Sequence, residues 1–432
     1  MEFLNHYLYS ISLSLKNNQH LLTGFLNQFI ILLIGIFIFV NPYPHLTAIR
    51  EISIYGAFFL LSVLVFFGKT DFSLQSPLSI PFFLFLLWVF IGLFFALNKL
   101  NSIHDFFAHL VKYMFLFYLL INFINNRGRL LGLIWTIILS TTLYAVGMLI
   151  YFYVMLGNDI SIKLGVYNNQ FQSEIPSNII GISTLFAMLL SLQQLSREEF
   201  GYRKLILCIC IFMTAIATLA TQTRGTLLAM ITALLLLVLK NKKITIIFCL
   251  FLAIFLAILP VRNILTPQAI IYKIAEDERP KYWYLFGEIV RDYPVTGIGF
   301  GMQTYLDEGI LKKYREKVPA AYRAREFFNA PHNLLVDTAV RTGLIGLFLF
   351  LCIIFKYLQI SWKIIKHGKD PFIRNWGLCF LATFVAVFIQ GLFENTMGGS
   401  PAIILYTIFG LTNILWKLNA EPNTDDHAAA VP

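Results

Sequence analysis

The chain has 432 residues, of which 58% are hydrophobic, 16% aromatic and only 13% charged, with a formal net charge of +10. That balance excludes a water-soluble globular domain, in which about a quarter of the residues are charged. The excess of cations does not point to nucleic acid, because the basic residues are scattered between apolar runs; an anionic membrane surface or an anionic substrate suits them better.

In chain order the apolar runs fall at 21–40, 51–67, 80–97, 104–124, 130–156, 177–194, 204–222, 225–239, 243–259, 333–358, 374–393 and 401–416. Crossing a hydrocarbon core takes roughly 20 residues, and a helix satisfies its own backbone hydrogen bonds there. The expectation is an all-α integral membrane protein of about 12 transmembrane helices. The first run lacks a small-residue cleavage site and reads as a retained span, with the mature chain expected to start at Met1. Connections on one side carry Lys240, Lys242, Lys243, Lys363, Lys366 and Lys369 among others, whereas the short connections opposite hold only Arg50, Lys99, Lys163 and Arg224. The positive-inside rule then puts both termini in the cytoplasm and segment 260–332 outside. The chain thus divides into nine spans over 1–259, one large outer loop over 260–332, three spans over 333–418 and a polar tail over 419–432.

Cys208, Cys210, Cys249, Cys352 and Cys379 all lie in apolar runs, where a thiol acts as a small hydrophobe rather than as part of a disulfide or metal site. Neither an internal repeat nor a likeness between the two halves stands out, which counts against an inverted-repeat transporter.

The stretch from Pro260 to His332 is the one long segment of soluble-protein composition, and loops of that length are usually functional or disordered. Helical order is expected in it. After Arg279 comes Pro280, suited to a first helical turn, then Trp283, Leu285, Phe286 and Ile289 at helical spacing, ending before Pro294. A second helix is expected over about 303–317. Between them, Gly297-Ile298-Gly299-Phe300-Gly301 superficially matches a dinucleotide fingerprint, but no βαβ unit surrounds it, and a tight turn is the better reading.

Arg224 lies at an outer hairpin between two spans, where a permanent charge is costly unless it snorkels or binds something. With Arg279 on the same side, two guanidinium groups suit bidentate capture of phosphate oxygens. His332, in Pro331-His332-Asn333 where the outer loop meets the next span, is either a proton-transfer group or an interfacial cap. Asp337 and Arg341 are spaced for a structural ion pair on one helix. Asp105, His109 and Lys112 share a helix face near the outer end of the fourth span; they either shape a substrate site or form a charge-balanced packing cluster. Glu394 either contacts an acceptor sugar or faces water.

These motifs together resemble the O-antigen ligases and related Wzy-type polymerases of bacterial polysaccharide assembly. The resemblance rests on Thr223-Arg224-Gly225, on Arg279 with Trp283 and the Asp292–Gly301 stretch, and on Pro331-His332-Asn333-Leu334-Leu335 leading to Thr342-Gly343-Leu344-Ile345-Gly346. It covers about residues 215–350. It implies a metal-independent, inverting glycosyltransferase of the inner membrane with a periplasm-facing site and no cofactor. The implied donor is a glycan on undecaprenyl diphosphate, and the acceptor is a lipid A core sugar hydroxyl in a ligase or another lipid-linked repeat in a polymerase. By the same resemblance Arg224 and Arg279 bind the donor diphosphate and His332 assists the acceptor hydroxyl. A polytopic lipid or solute transporter remains the alternative from another class.

Overall fold

The computed structural model describes residues 23–168, 173–199, 201–238, 279–306, 308–320, 330–394 and 398–420. The span expected at 243–259, Cys249, the parts of the loop at 260–278 and 321–329, and nearly all of the polar tail lie outside the described residues. Among the described residues nine helices are long and apolar enough to cross a membrane, and Ser79–Phe95 and Arg224–Val238 are shorter apolar helices. The chain is therefore a polytopic helical membrane protein, with one small addition to the all-α expectation: Val166–Asn168 (β1) and Ser173–Ile175 (β2) pair as a short antiparallel ladder. That ladder satisfies backbone groups in a connection where no helix does.

In chain order the helices are α1 (Thr23–Val40), α2 (Thr47–Phe66), α3 (Ser79–Phe95), α4 (Lys99–Asp105), α5 (Lys112–Phe123), α6 (Arg127–Leu149), α7 (Ser177–Leu195), α8 (Tyr202–Ala220) and α9 (Arg224–Val238). In the loop lie α10 (Arg279–Asp292) and α11 (Glu308–Lys317), and α12 (Leu334–His367), α13 (Pro371–Gly391) and α14 (Gly399–Ala420) complete the bundle. Several starts are fixed by short polar caps. The side chains of Asn98, Asn126 and Asp370 accept the backbone N–H of Asn101, Arg129 and Ile373, and Pro371 occupies the first turn of α13. Hence α13 begins at Pro371 rather than at the expected 374.

The windows of α7 and α14 are 83% buried against 28% for α1 and α2, which places the former pair at the centre and the latter at the rim. Phe66, Ile80, Phe83, Phe94 and Phe355 are exposed on outer helix faces, a surface suited to hydrocarbon rather than water. Inside, polar side chains bridge helices: Thr184 of α7 to Thr218 of α8 at 2.8 Å, and Tyr357 of α12 to Thr412 of α14 at 3.1 Å. Such pairs tie spans together where apolar attraction between helices is weak against lipid.

The fourth span departs from a regular helix. Between α4 and α5, Phe106–Val111 forms a turn of π-helix, which takes more residues per turn than the regular period. The face shared by Asp105, His109 and Lys112 is therefore broken. Asp105 and His109 approach to 3.7 Å, but Lys112 turns to Glu51 on α2, with Nζ 2.8 Å and 3.0 Å from its carboxylate oxygens.

The helix α10 takes the expected bounds, burying Tyr282, Phe286 and Ile289 at helical spacing against Ile298, Tyr314 and Val340. Its last residue, Asp292, accepts from Lys317 at 2.7 Å and Tyr314 at 2.8 Å, which clips α11 to α10. The Lys317 and Tyr314 hydrogen bonds hold the Asp292 carboxyl below its ordinary pKa. The second expected helix appears as a 3-10 turn, Met302–Leu306, and then α11.

Between α10 and that turn, the glycine-rich segment does more than turn. It lies across the break in α12 at Gly343, whose φ of 71° interrupts the helix. There Ile298 N–H donates to the Val340 carbonyl at 2.9 Å and Leu344 N–H to the Pro294 carbonyl at 2.7 Å. Buried Arg341 donates from Nε to the Phe300 carbonyl at 2.8 Å and stacks 4.0 Å from the Phe300 ring centroid, while Asp337 pairs with it at 3.4 Å. On its other side the segment is held by α4: Gly301 N–H donates to Ser102, Met302 N–H to Asp105 at 2.6 Å and Gln303 N–H to Asn101 at 2.9 Å. Asp105 and Asn101 thus support the loop.

Backbone approach of this kind needs glycine. A Cβ on Gly343 would lie 1.9 Å from the Val295 carbonyl oxygen, and one on Gly297 would lie 2.4 Å from that of Val340. Gly343→Ala should cost about 2–4 kcal/mol through the clash and the positive φ. Gly132→Ala, which meets nothing within 4 Å in α6, should be neutral or slightly stabilising. Thermal unfolding of the purified proteins in detergent checks this; a Gly343→Ala protein that melts like the parent would show that loop and broken helix are not locked together.

Candidate functional site

The polar residues that gather at one end of the bundle come from five separated stretches. His332 enters from the loop before α12, Arg279 from the start of α10, Glu394 from the connection after α13, Arg224 from the start of α9, and Lys163 from the connection after α6.

His332 is fixed on both sides. The Trp283 indole N–H of α10 donates to the Pro331 carbonyl at 3.1 Å. Asn333 caps α12, its side-chain oxygen accepting from Leu335 N–H at 2.9 Å and Val336 N–H at 3.1 Å, and its amide donates to the Leu392 carbonyl at 3.0 Å. Held so, His332 adopts a φ of 47°, an uncommon conformation for a side chain with a Cβ. Its Nδ1 lies 2.9 Å from Glu394 Oε2. The second oxygen of Glu394 lies 3.4 Å from Arg279 Nη2. The three side chains are half-buried, and the Arg279 guanidinium stands 6.0 Å from the Phe393 ring centroid.

Arg224 opens α9, where the helix's own N-terminal partial charge is positive, so its position favours an anion in front of it. Gly225 beside it packs against Phe393: a Cβ there would lie 3.2 Å from the Phe393 Cβ, which brings the α9 start next to the Phe393-Glu394 connection. Lys163 is exposed, but the protein around its ammonium lowers its pKa; Glu394 acts in the opposite sense, and Arg279 and Arg224 add to the lowering.

The sequence thus singled out Arg224, Arg279 and His332, and the fold brings them to the same region. Glu394, which the sequence left between sugar contact and solvent, sits between Arg279 and His332. Asp105, His109 and Lys112 have other partners: Met302, Tyr113 and Glu51. Sequence reasoning missed Lys163, counted only as a charge in a short connection, and the Phe393 ring; no local motif marks either. Among the described residues no group of His, Cys, Asp and Glu is arranged to hold a metal ion. A narrow apolar cavity of about 10 Å³ bounded by Phe82, His109, Phe300, Phe350 and Tyr406 lies among the spans, and none of the site side chains lines it.

The fold and this cluster define a polytopic helical membrane protein with a cationic site built around a His–Glu pair. Residues 209–351, which contain Arg224, Arg279 and His332, match the family model described as O-antigen ligase. The match supports an enzyme of the ligase or polymerase type. Comparison with curated proteins gives no match.

The caps around His332 make a stability test that needs no substrate. Asn333→Ala should cost about 1–2 kcal/mol by losing the cap and the Leu392 contact together. Asn333→Asp keeps the capping oxygen and should recover part of that loss. Thermal unfolding in detergent reads the difference; equal melting of the two variants would mean that the cap does not hold this corner.

Proposed function

We propose that the chain is an O-antigen ligase, an inverting glycosyltransferase of the bacterial inner membrane. In this reading the site faces the periplasm, both termini are cytoplasmic, and a glycan moves from undecaprenyl diphosphate to a sugar hydroxyl of the lipid A core. The observation that carries it is the pairing of His332 with Glu394 at 2.9 Å beside Arg279, inside the segment that matches the family.

The chemistry follows from those contacts. With Glu394 ionised, His332 Nδ1 carries the proton it donates to the carboxylate, which leaves Nε2 bare to accept another. An acceptor hydroxyl placed there gives its proton to Nε2 while its oxygen attacks the anomeric carbon from the face opposite the diphosphate. The bond from that carbon to the phosphate oxygen breaks, and the lipid diphosphate leaves with the electron pair. General-base assistance of this kind contributes about 10²–10⁴-fold. Arg224 and Arg279 stabilise the charge growing on the leaving diphosphate, as preorganised donors do in other transfers. No divalent ion is assigned a step. Asp105 is assigned support of the loop, and His109 and Lys112 packing contacts with Tyr113 and Glu51, rather than sugar contact, and the carrier's hydrocarbon chain runs in the bilayer.

Purified protein with an undecaprenyl diphosphate-linked glycan and lipid A core tests this directly. Arg224→Ala, Arg279→Ala and His332→Ala should each lower transfer by at least about a hundredfold while the protein still inserts. Arg279→Lys should rescue poorly, because an ammonium lacks the planar fork. Glu394→Gln should act as a partial loss, since an amide still accepts from Nδ1. Near-parental transfer by His332→Ala would remove its role as base. Growth of the glycan on its carrier without transfer to lipid A core would make the enzyme a polymerase of the same chemistry. Strict dependence on added divalent metal would overturn the metal-free route, and transport without glycan transfer would overturn the enzyme reading.

A further inference from the structure

Lys163 lies outside the motifs that carry the family resemblance and outside the matched segment, yet its connection is fastened to the site. Leu164 is wholly buried among Tyr144, Ile180 and Ala217, and its N–H donates to the Ala220 carbonyl at the end of α8 at 2.8 Å. The Tyr153 hydroxyl donates to the Ile162 carbonyl at 2.8 Å, and the Gln222 amide donates to the Ser161 carbonyl at 3.0 Å. Gln222 takes a φ of 48° in the short turn that ends on Arg224. Residues on both sides of Lys163 are therefore tied to the turn that presents Arg224, and its exposed side chain is held within electrostatic reach of Arg224, Arg279 and Glu394.

Arg224 and Arg279 thus act on Lys163 as like charges, with the Glu394 carboxylate acting in the opposite sense. Like charges so gathered repel one another, and that cost falls when a multiply charged anion sits among them. Resting on the glycosyltransferase reading, we infer that Lys163 is a third cationic contact for the donor diphosphate, acting with Arg224 and Arg279. The division of labour suits the residue types. Arginine forks fix the orientation of phosphate oxygens, while an ammonium on a flexible stem supplies a point charge with three rotatable donors. As the glycosidic bond breaks, the departing diphosphate gains charge, and an ammonium able to follow it binds the transition state better than the ground state.

The test uses the full-length protein in detergent, with the undecaprenyl diphosphate-linked glycan as donor, and counts product on either acceptor so that ligase and polymerase outcomes are both read. Lys163→Gln, and Lys163→Met as a second neutral variant, should lower kcat/KM for the donor by about tenfold. Their melting temperature should match the parent, because the replaced side chain is exposed. Lys163→Arg should keep most of the activity. Parental kcat/KM in both neutral variants, with Arg224→Ala and Arg279→Ala inactive, would overturn the role of Lys163 alone. Equal losses in the neutral variants and Lys163→Arg would also overturn it, marking a packing role. Parental activity in Arg224→Ala and Arg279→Ala would instead sink the diphosphate reading on which the inference rests.

Discussion

Backbone amides and carbonyls that leave a helix at membrane depth must find partners in the protein, and one crossing in this chain meets that requirement. The segment from Pro294 to Gln303 runs against the break in α12, exchanging hydrogen bonds with Val340 and Leu344, and then against α4, where Ser102, Asp105 and Asn101 receive three successive N–H groups. Non-helical backbone is tolerated within a helical bundle only where protein covers it in this way. Arg341, buried beside Asp337, completes the arrangement by donating to the Phe300 carbonyl. Two buried charges in the first turns of α12 are thereby tied to each other, and one of them to the loop.

The placement of the site follows from that crossing. Because the segment is locked to α12, the helix α10 packs against Val340 and Val336 and cannot slide along α12. Trp283 on α10 then reaches the Pro331 carbonyl, and Asn333 joins the start of α12 to the end of α13. His332 sits between those two fastenings in a left-handed conformation that the surrounding contacts impose. The residue is held at Glu394 by its neighbours' hydrogen bonds, so the His–Glu geometry does not depend on the long side chains finding each other.

How much of this was legible in sequence differs between levels. Among the described residues the spans were plain, since apolar runs of that length have few other fates; their ends shifted where a cap such as Asp370 extended a helix and where α12 runs on to His367 past the expected 358. The period of α10 was readable because Trp283, Leu285, Phe286 and Ile289 recur at helical spacing, although the fold buries Tyr282 rather than Trp283 with Phe286 and Ile289. The π turn at Phe106–Val111 was not, because nothing in its residues marks a departure from a regular helix; Lys112 beyond it turns to Glu51. The glycine run was read as a turn, whereas Gly297 answers to the Val340 carbonyl of α12 and Gly299 and Gly301 to Ala96, Asn101 and Ser102, information that lies more than forty positions away in the chain. Arg224, Arg279 and His332 could be named from local motifs; their meeting with Glu394 and Lys163 depends on connections between distant spans and carries no local signature.

The charge arrangement explains why a cluster of this kind is stable before any substrate arrives. Glu394 offers one oxygen to Arg279 and the other to His332, so a single carboxylate lies against both the guanidinium and the imidazole. In the proposed reaction an entering diphosphate competes with Glu394 for Arg279 but not for His332. The 3.4 Å contact to Arg279 is the looser of the two, and the 2.9 Å contact to His332 the tighter. On that proposal donor binding draws the guanidinium away while the carboxylate keeps the histidine oriented for the acceptor. Glu394, which the sequence left undecided, would then couple the half of the proposed site that holds a leaving group to the half that receives a proton.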